Sequence, residues 1–401
     1  MKEKAVKAYS IPINAPNDLI NAYFEAKKKA LKEIFSHIVY SQRGKVHLNF
    51  KKEDRRNLRS KLLKDWTYSK HYIDSAINSV IGLVKGWIKL YNRGKAKSRP
   101  EITKKTVYIK NTLFSYKNGI LKISIEPRRR YLEVNLMKHE YLPKDFNSIG
   151  GLLLTENKLI ITFKKNVKSI EPKGWASFDV NLTNITALIN GKIVRYDLKQ
   201  LYHIHRVYEK KRRRIQKFSK HKPKTAKKLM QKYSKREKNR AKDFMHKLTT
   251  KIAEELSEIE SGAILENLKN IKSRVLCKSK NLNLKLSKWN ARQFQFMLKY
   301  KLKWLGLPVK YVNPKNSSKT CPVCQATLVA YRGRLMKCKK CEFTMDRDVV
   351  AVLNLQMWGS GVTPKALIAH LRAMMGKRLI DQNSHFIYKS LSTVNPTIKL
   401  P

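Results

Sequence analysis

Near the end of the chain four cysteines fall as Cys321-x2-Cys324-x13-Cys338-x2-Cys341, and the sequence runs on through Asp346-Arg347-Asp348 into the apolar stretch VVAVLNLQMW. Two Cys-x-x-Cys knuckles can supply four thiolates. That closes a tetrahedral Zn²⁺ shell with no position left for water, so such a metal is structural. The gap of 13 residues is slightly shorter than usual ribbon spacing, and Gly333, between Arg332 and Arg334, offers the hairpin turn. Three acids pose a separate question. Asp179 sits near the end of the strand-like run in GWASFDVNLTN, Glu266 follows Ala263-Ile264-Leu265 in SGAILENL, and Asp348 opens the stretch after the ribbon. Each alone has an ordinary explanation: a turn cap, an exposed strand end, a favourable charge at a helix N-terminus. Brought together they could hold hard divalent cations such as Mg²⁺ beside a phosphodiester, the arrangement that ribonuclease-H-like nucleases need.

The elements that must carry these residues follow from periodicity. GWASFDVNLTNITALINGKIVRYDL reads as a strand, a tight polar turn, and strands joined through Asn190-Gly191; SGAILENL reads as a further buried strand. Between them, residues 201 to 250 hold nineteen Lys and Arg against three acids. Ile204, Val207, Tyr208, Ile215 and Phe218 keep a helical stripe, HKPK interrupts it at Pro223, and Leu229, Tyr233, Phe244 and Leu248 resume it. This is a basic helical hairpin, and Arg212, Arg213, Arg214, Lys217, Arg236 and Arg240 are its candidate nucleic-acid contacts. A merely solvated face would intersperse both signs of charge.

Upstream, VKAYSIPI reads as a strand, residues 17 to 41 as a helix, and Lys52 to Leu90 as a second helical stretch. In the latter, Tyr68, Tyr72, Trp87 and Tyr91 lie among Lys and His. Tyr68 and Tyr72 are candidates for stacking on bases, against the ordinary reading of helical aromatics as core. From Val107 to Lys165 the period changes to alternation, with Asn118-Gly119 as a hairpin signal. Several strands with short turns suggest a small barrel or curled sheet interrupted by the helical block.

Composition narrows the partners. The 401 residues are 42% hydrophobic, enough for two or three cored domains, yet 87 Lys and Arg face 29 Asp and Glu, a net charge of +58. Such self-repulsion points to a polyanion, with nucleic acid ahead of an anionic membrane. No apolar run approaches the roughly 18 residues of a spanning helix, and the opening MKEKAVKAYSIPINAP lacks a signal-peptide core, which points to a soluble intracellular protein. Four of five cysteines lie in the knuckles, which fits a reduced compartment with one metal site; Cys277 reads as a small semi-buried residue.

The order of these features, a basic N-terminal half, FDVNLTN, a basic hairpin, ILENL, NPKNSSKTCPVC leading into the four-cysteine ribbon, and DRDVVAVLNL, resembles the TnpB family. These are RNA-guided nucleases of bacterial and archaeal insertion sequences, long called OrfB transposases and ancestral to type V CRISPR effectors. The likeness extends from about Lys7 to Trp358. It implies an α/β multidomain protein: a wedge β-barrel (1–14 and 101–170) with an inserted helical recognition lobe (15–100), then a RuvC-like nuclease domain (171–319 and 343–358) containing the basic hairpin (201–257) and an inserted zinc ribbon (320–342), and a tail (359–401). It implies Asp179, Glu266 and Asp348 as the metal-binding triad, with Asp346 as a weaker substitute for Asp348. Two catalytic Mg²⁺ and one structural Zn²⁺ follow, with guide RNA and target DNA as partners and a prokaryotic cytoplasmic setting.

The chain also departs from the family pattern. Val350 stands where an Asn is expected, Ala351 and Val352 where alanines follow, Asn181 where a Gly usually follows the first acid, and Gln325 where the ribbon often has Gly. Three other readings stay open: a guided DNA-binding regulator that does not cut, a transposase that joins strands itself, and a zinc-ribbon RNA-binding protein whose acids never meet.

Overall fold

The computed structural model describes residues 2–42, 44–96, 98–269, 279–362, 368–369 and 387–389. Cys277 and all of ALIAHLRAMM except Ile368 and Ala369 lie outside the described residues. The chain divides into two compact units, Lys4–Asn166 and a second built from Met1–Glu3 with Val167–Pro401.

In the first unit a helical layer and two small sheets form from clearly different sequence periods. Helix α1 (Asn17–Ser36) buries Leu19, Ile20, Tyr23, Ala26, Ala30 and Ile34, one face at helical spacing. After the short hairpin β2 (Ile38–Tyr40) and β3 (Val46–Leu48), the expected single helical stretch from Lys52 is two helices, α2 (Lys52–Leu63) and α3 (Lys70–Tyr91). The break has a local cause: Trp66 Nε1 donates to Ser69 O at 3.0 Å, and Ser69 N–H is drawn off to Ile125 O. Ala26, Ala30 and Ile34 of α1 share a core with Leu58 of α2 and with Ile73, Ile77, Val80 and Val84 of α3.

The unit's strands follow as β4 (Val107–Ile109), β5 (Phe114–Lys117), β6 (Ile120–Glu126), β7 (Arg130–Asn135), β8 (Ser148–Thr155) and β9 (Lys158–Lys168). With β1 (Lys2–Pro12) they make one sheet of order β1-β9-β8-β4 and another of order β5-β6-β7. Asn118 and Gly119 both take positive φ, 50° and 79°, the backbone a tight two-residue hairpin requires.

The second unit is organised by a six-stranded sheet of order β14-β13-β10-β11-β12-β18. Strands β10 (Gly174–Val180), β11 (Asn184–Ile189) and β12 (Lys192–Asp197) form an antiparallel meander. Helices α4 (Lys199–Phe218) and α5 (Pro223–Glu258) then lead to β13 (Ser261–Glu266), which pairs parallel with β10. The interruption between α4 and α5 falls at the HKPK segment, and Pro223 sits in the first turn of α5, where its missing N–H costs nothing. Helices α6 (Lys280–Lys288) and α7 (Ala291–Trp304) precede β14 (Val309–Val312), again parallel to β13.

The sheet is covered on both faces. Ala176, Phe178, Val180, Ala263 and Leu265 join Phe244, Met245, Leu248 and Ile252 of α5 and Phe294 and Leu298 of α7 in the main core. The other face meets α8 (Arg347–Ser360), which is preceded by a small ribbon of β15 (Leu328–Ala330), β16 (Leu335–Cys338) and β17 (Thr344–Asp346). Val349, Val350, Val352 and Leu353 of α8 are fully buried in a cluster with Leu188, Ile193 and the ribbon residues Cys321, Leu328, Cys338 and Phe343. Strand β18 (Ile387–Lys389) pairs parallel with β12 at the sheet edge. Among the described residues no helix is long and apolar enough to cross a membrane.

Candidate active site and metal centre

Three acids reach one face of the central sheet from three separate elements. Strands β10 and β13 pair Phe178 with Leu265, so the next residues along, Asp179 and Glu266, stand side by side at the carboxyl ends of neighbouring parallel strands. Phe178 and Val180 point into the α5/α7 core, which leaves Ser177 and Asp179 on the face covered by α8. There Ser177 Oγ donates to Val352 O at 2.7 Å and Gln356 Nε2 donates to Trp175 O at 2.7 Å. Helix α8 therefore runs antiparallel to β10. Asp348, one turn before Val352, lies toward the strand end that carries Asp179.

The same register extends the polar row. Asp179 pairs across β11 with Thr186, and Thr186 pairs across β12 with Arg195. Cross-strand partners share a face. Arg195 Nη2 lies 3.0 Å from Asp346 Oδ1. Asp346 caps α8, its Oδ1 accepting from the N–H groups of Asp348 at 2.9 Å and Val349 at 3.4 Å. That use of its carboxylate makes Asp346 a poor substitute for Asp348 as a metal ligand. Asp348 is 4% exposed; its Oδ1 is ion-paired with Arg334, and its buried Oδ2 has no hydrogen-bond partner among the described residues.

Electrostatics couple the three acids. Burial, then the Asp348 carboxylate, pushes Asp179 up to about 7, opposed by Asn181, whose Nδ2 donates to Asp179 Oδ2 at 2.9 Å. Burial, then Asp179, pushes Glu266 up to about 8, opposed by a hydrogen bond from the Val180 backbone. Asp348 is raised too, by burial and by Asp346, against Arg334 and Arg195. The three carboxylates each resist ionisation partly because of a neighbour, and one carries a buried oxygen without a partner among the described residues; these are oxygen donors of the kind a hard divalent cation takes, although among the described residues only the four ribbon cysteines bring their ligand atoms together closely enough to hold an ion as they stand. Trp289 Nε1 donates to Val180 O and Gln295 Nε2 to Glu266 O, each at 2.8 Å, and these bonds fix the strand ends from the other side.

The cysteines converge more tightly. Among the described residues, Cys321, Cys324, Cys338 and Cys341 are the one group whose potential ligand atoms all lie within 4.8 Å of one another. Cys321 and Cys341 sulfurs are 3.6 Å apart, and those of Cys324 and Cys338 are 3.4 Å apart. Those spacings exceed a disulfide bond and come close to the edge of about 3.8 Å set by four Zn–S bonds of about 2.3 Å. The two knuckles match in backbone: Gln325 and Glu342, each just after the second cysteine, adopt φ of +60° and +59°. A Gly would suit position 325, and Gln325 occupies it under mild strain. Burial pushes the Cys321 thiol up to about 12, whereas backbone N–H groups of Cys341 and Lys340 and the Cys324 sulfur overcome burial and hold Cys338 down to about 6. The donor set fits zinc.

The candidate nucleic-acid contacts divide. Tyr72 is fully buried and its hydroxyl donates to Ser124 O at 2.8 Å, so the stacking expectation for it is corrected: it is a core residue. Tyr68 is half-buried and its hydroxyl donates to Asp18. On the helical hairpin, Arg212 is ion-paired with Glu237 and Arg213 with Glu209. Arg214, Lys217, Arg236 and Arg240 are exposed. Sequence reasoning passed over Arg195, although a lone arginine facing inward in KIVRYD was a readable signal. Nothing local in the sequence marked Trp289 or Gln295. A cavity of about 430 Å³ lined by Lys173, Trp175, Asn190 and Gln356 opens at the other end of β10, away from the acids.

Three family models match: "Uncharacterized protein MJ0013 family" over residues 19–124, "Probable transposase" over 160–271 and "Cas12f1-like, TNB domain" over 292–355. Two TnpB-like proteins of Methanocaldococcus jannaschii are similar, one 37% identical over 256 residues (61% of this chain, 92% of the relative), the other 30% identical over 405 residues (96% and 93%). A CRISPR-associated endodeoxyribonuclease Cas12f1 of an uncultured archaeon is 26% identical over 215 residues, 49% of this chain and 40% of that protein. In fold, the chain resembles the protein of a cryo-EM Cas12f1-sgRNA-target DNA complex, with a TM-score of 0.56 at 14% identity over 85% of this chain and 80% of that one.

Proposed function

The chain belongs to the TnpB-like protein family, and on that premise we propose that it is an RNA-guided DNA endonuclease associated with a transposable element, cutting DNA by Mg²⁺-dependent phosphodiester hydrolysis. The observation that carries this reading is that Asp179 and Glu266 stand side by side at the ends of paired parallel strands, with Asp348 of α8 toward the same end and its Oδ2 buried without a partner among the described residues. We assign the central sheet to a RuvC-like, ribonuclease-H-like nuclease domain: an antiparallel meander followed by strands parallel to the first supports that assignment. The two sheets and three helices of Lys4–Asn166 are taken as the wedge and its inserted recognition lobe.

Asp179, Glu266 and Asp348 would hold Mg²⁺, and Cys321, Cys324, Cys338 and Cys341 would hold Zn²⁺. When bound, magnesium supplies positive charge to the oxygens of the scissile phosphodiester and to the attacking water. The chain's residues prepare that site. Asn181 orients Asp179 through Oδ2, Asp346 fixes the first turn of α8 and thereby Asp348, and Arg195 holds Asp346. Asp179 and Glu266, both raised toward neutral pH by burial, would have to be ionised to hold the ion. Val350, in place of an expected Asn, is buried among apolar residues of α8 and the ribbon, so its role is packing. Guide RNA would supply sequence discrimination, and exposed Arg214, Lys217, Arg236 and Arg240 would hold phosphate backbone.

The test is to purify the protein with the RNA it retains, sequence that RNA, and offer matched duplex DNA with a randomised flank. Cutting that requires Mg²⁺ and disappears in Asp179→Ala supports the proposal. Guided binding without cutting by the native chain selects a regulator, and guide-independent joining of element ends selects a transposase.

A further inference from the structure

Three arginines act on the acidic row: Arg347 through its charge on Asp179, and Arg195 and Arg334 through ion pairs, and the latter two differ in freedom. Arg195 is 13% exposed and set in mid-strand against Asp346. Arg334 is 60% exposed and follows Gly333, whose φ of +55° makes the turn between β15 and β16. Its backbone is fixed beside the acids, because Arg347 N–H donates to Arg334 O at 2.9 Å and Leu335 pairs with Asp346. Its guanidinium is not enclosed: Nη2 pairs with Asp348 Oδ1, and Nε lies 3.7 Å from Asp346 Oδ2. A cation on a flexible stem thus sits on the one triad acid that also carries an orphaned buried oxygen.

From this geometry we infer that Arg334 is a tethered counter-ion of the acidic pocket: it neutralises Asp348 until divalent cations enter, and then exchanges that carboxylate for a phosphate of the bound DNA strand. The inference rests on the proposed metal-dependent nuclease. A divalent ion and a guanidinium on the same carboxylate repel one another, so metal entry frees the arginine at the moment when a phosphate is wanted. The turn around it suits a single strand. Tyr331 is 51% exposed, with Arg332 5.5 Å and Lys337 5.9 Å from its ring centre, an aromatic face among cations in the same hairpin. The planar fork of arginine matches phosphate oxygens, which an ammonium does less well.

The experiment titrates Mn²⁺ into the full chain and follows free ion by electron paramagnetic resonance, in native protein, Arg334→Ala, Arg334→Lys and Asp179→Asn. In parallel, binding of single-stranded DNA is measured with Ca²⁺ present. Removing the competing cation in Arg334→Ala is expected to tighten Mn²⁺ binding by about three- to tenfold, the scale of one exposed ion pair. It is also expected to weaken Ca²⁺-dependent DNA binding by a similar factor and to lower its salt slope by roughly one. Arg334→Lys should keep the competition and lose part of the DNA affinity. Mn²⁺ binding unchanged or weaker in Arg334→Ala overturns the inference, and so does tighter Mn²⁺ binding with DNA affinity unchanged. If Asp179→Asn binds Mn²⁺ as the native chain does, the metal-site reading itself fails; if only Asp179→Asn loses the ion, the nuclease reading stands and the counter-ion inference falls.

Discussion

Replacing Glu266 by Gln should stabilise the metal-free protein at neutral pH, against the usual rule that altering a buried active-site residue destabilises. Glu266 is 8% exposed and pushed up to about 8 by burial and by Asp179. In the unfolded chain it ionises near its ordinary value of about 4.3. Between those values the folded state holds a proton that the unfolded state has released, so this residue's contribution to stability falls as pH rises from about 4 toward 8. At about 1.4 kcal/mol per pKa unit, and with part of the shift shared with Asp179, the penalty at pH 7.5 is on the order of 2–4 kcal/mol. Glutamine keeps the shape without the ionisation. For a unit of this size the gain amounts to roughly 5–10 °C of melting temperature. The assay is thermal melting in chelator at pH 5.5 and 7.5. Comparing variant with native chain at each pH cancels the general effect of the large positive charge. The variant's advantage should be about 2–4 kcal/mol at pH 7.5 and fall to roughly 1 kcal/mol at pH 5.5, and added Mg²⁺ should stabilise the native chain alone. An equal difference at both pH values, or a variant less stable at 7.5, would refute the claim that the pocket forces protons onto its acids.

The other predictions concern the ribbon, the cap and the hairpin. Purified protein should carry one Zn²⁺ per chain, released by an organomercurial titrating the four ribbon thiols, and Cys324→Ser should lower the zinc content measured by atomic absorption. Asp346→Ala should cost about 1 kcal/mol of stability through the lost cap. It should also reduce DNA cleavage without abolishing it, in contrast to Asp348→Ala, as read from single-turnover rates. Replacing Arg214, Lys217, Arg236 and Arg240 together by Ala should lower the slope of log affinity against log salt for RNA by about 3, and an unchanged slope would remove the hairpin from the nucleic-acid surface.

Much of this was legible in the sequence because the informative signals were local. Alternation marked β10, a continuous apolar run marked β13, Asn118-Gly119 marked a hairpin, and Pro223 marked the break between α4 and α5; each is a short-range rule. The four-cysteine spacing likewise carried its own geometry. Tyr72 misled because a stripe of aromatics among cations looks the same whether it faces solvent or core, and only tertiary packing decided that its hydroxyl meets Ser124 O. The break after Leu63 was hidden for a similar reason: the contact of Ser69 N–H with Ile125 O spans more than fifty positions. What no local pattern could give was the pairing of distant acids. Asp179 and Glu266 become neighbours through a parallel crossover of more than eighty residues, and Asp348 joins them through the antiparallel lie of α8.

The lie of α8 also explains why a cysteine knuckle runs directly into carboxylates. Strand β17 ends at Asp346, which is at once the partner of Leu335 in β16, the cap of α8 and the anion held by Arg195. Any displacement of β16 relative to β17 therefore moves the first turn of α8, and with it Asp348. The four sulfurs fix the two knuckles that bracket β15 and β16, and Val349, Val350 and Leu353 of α8 share a core with Cys321 and Cys338. A tetrahedral ion at the knuckles would thus help set the position of the acid in the first turn of α8. Hairpin strands this short would not hold such a register alone. The ribbon and Asp348 are therefore mechanically linked: a metal at the four cysteines would help fix where Asp348 stands, while the sheet places Asp179 and Glu266.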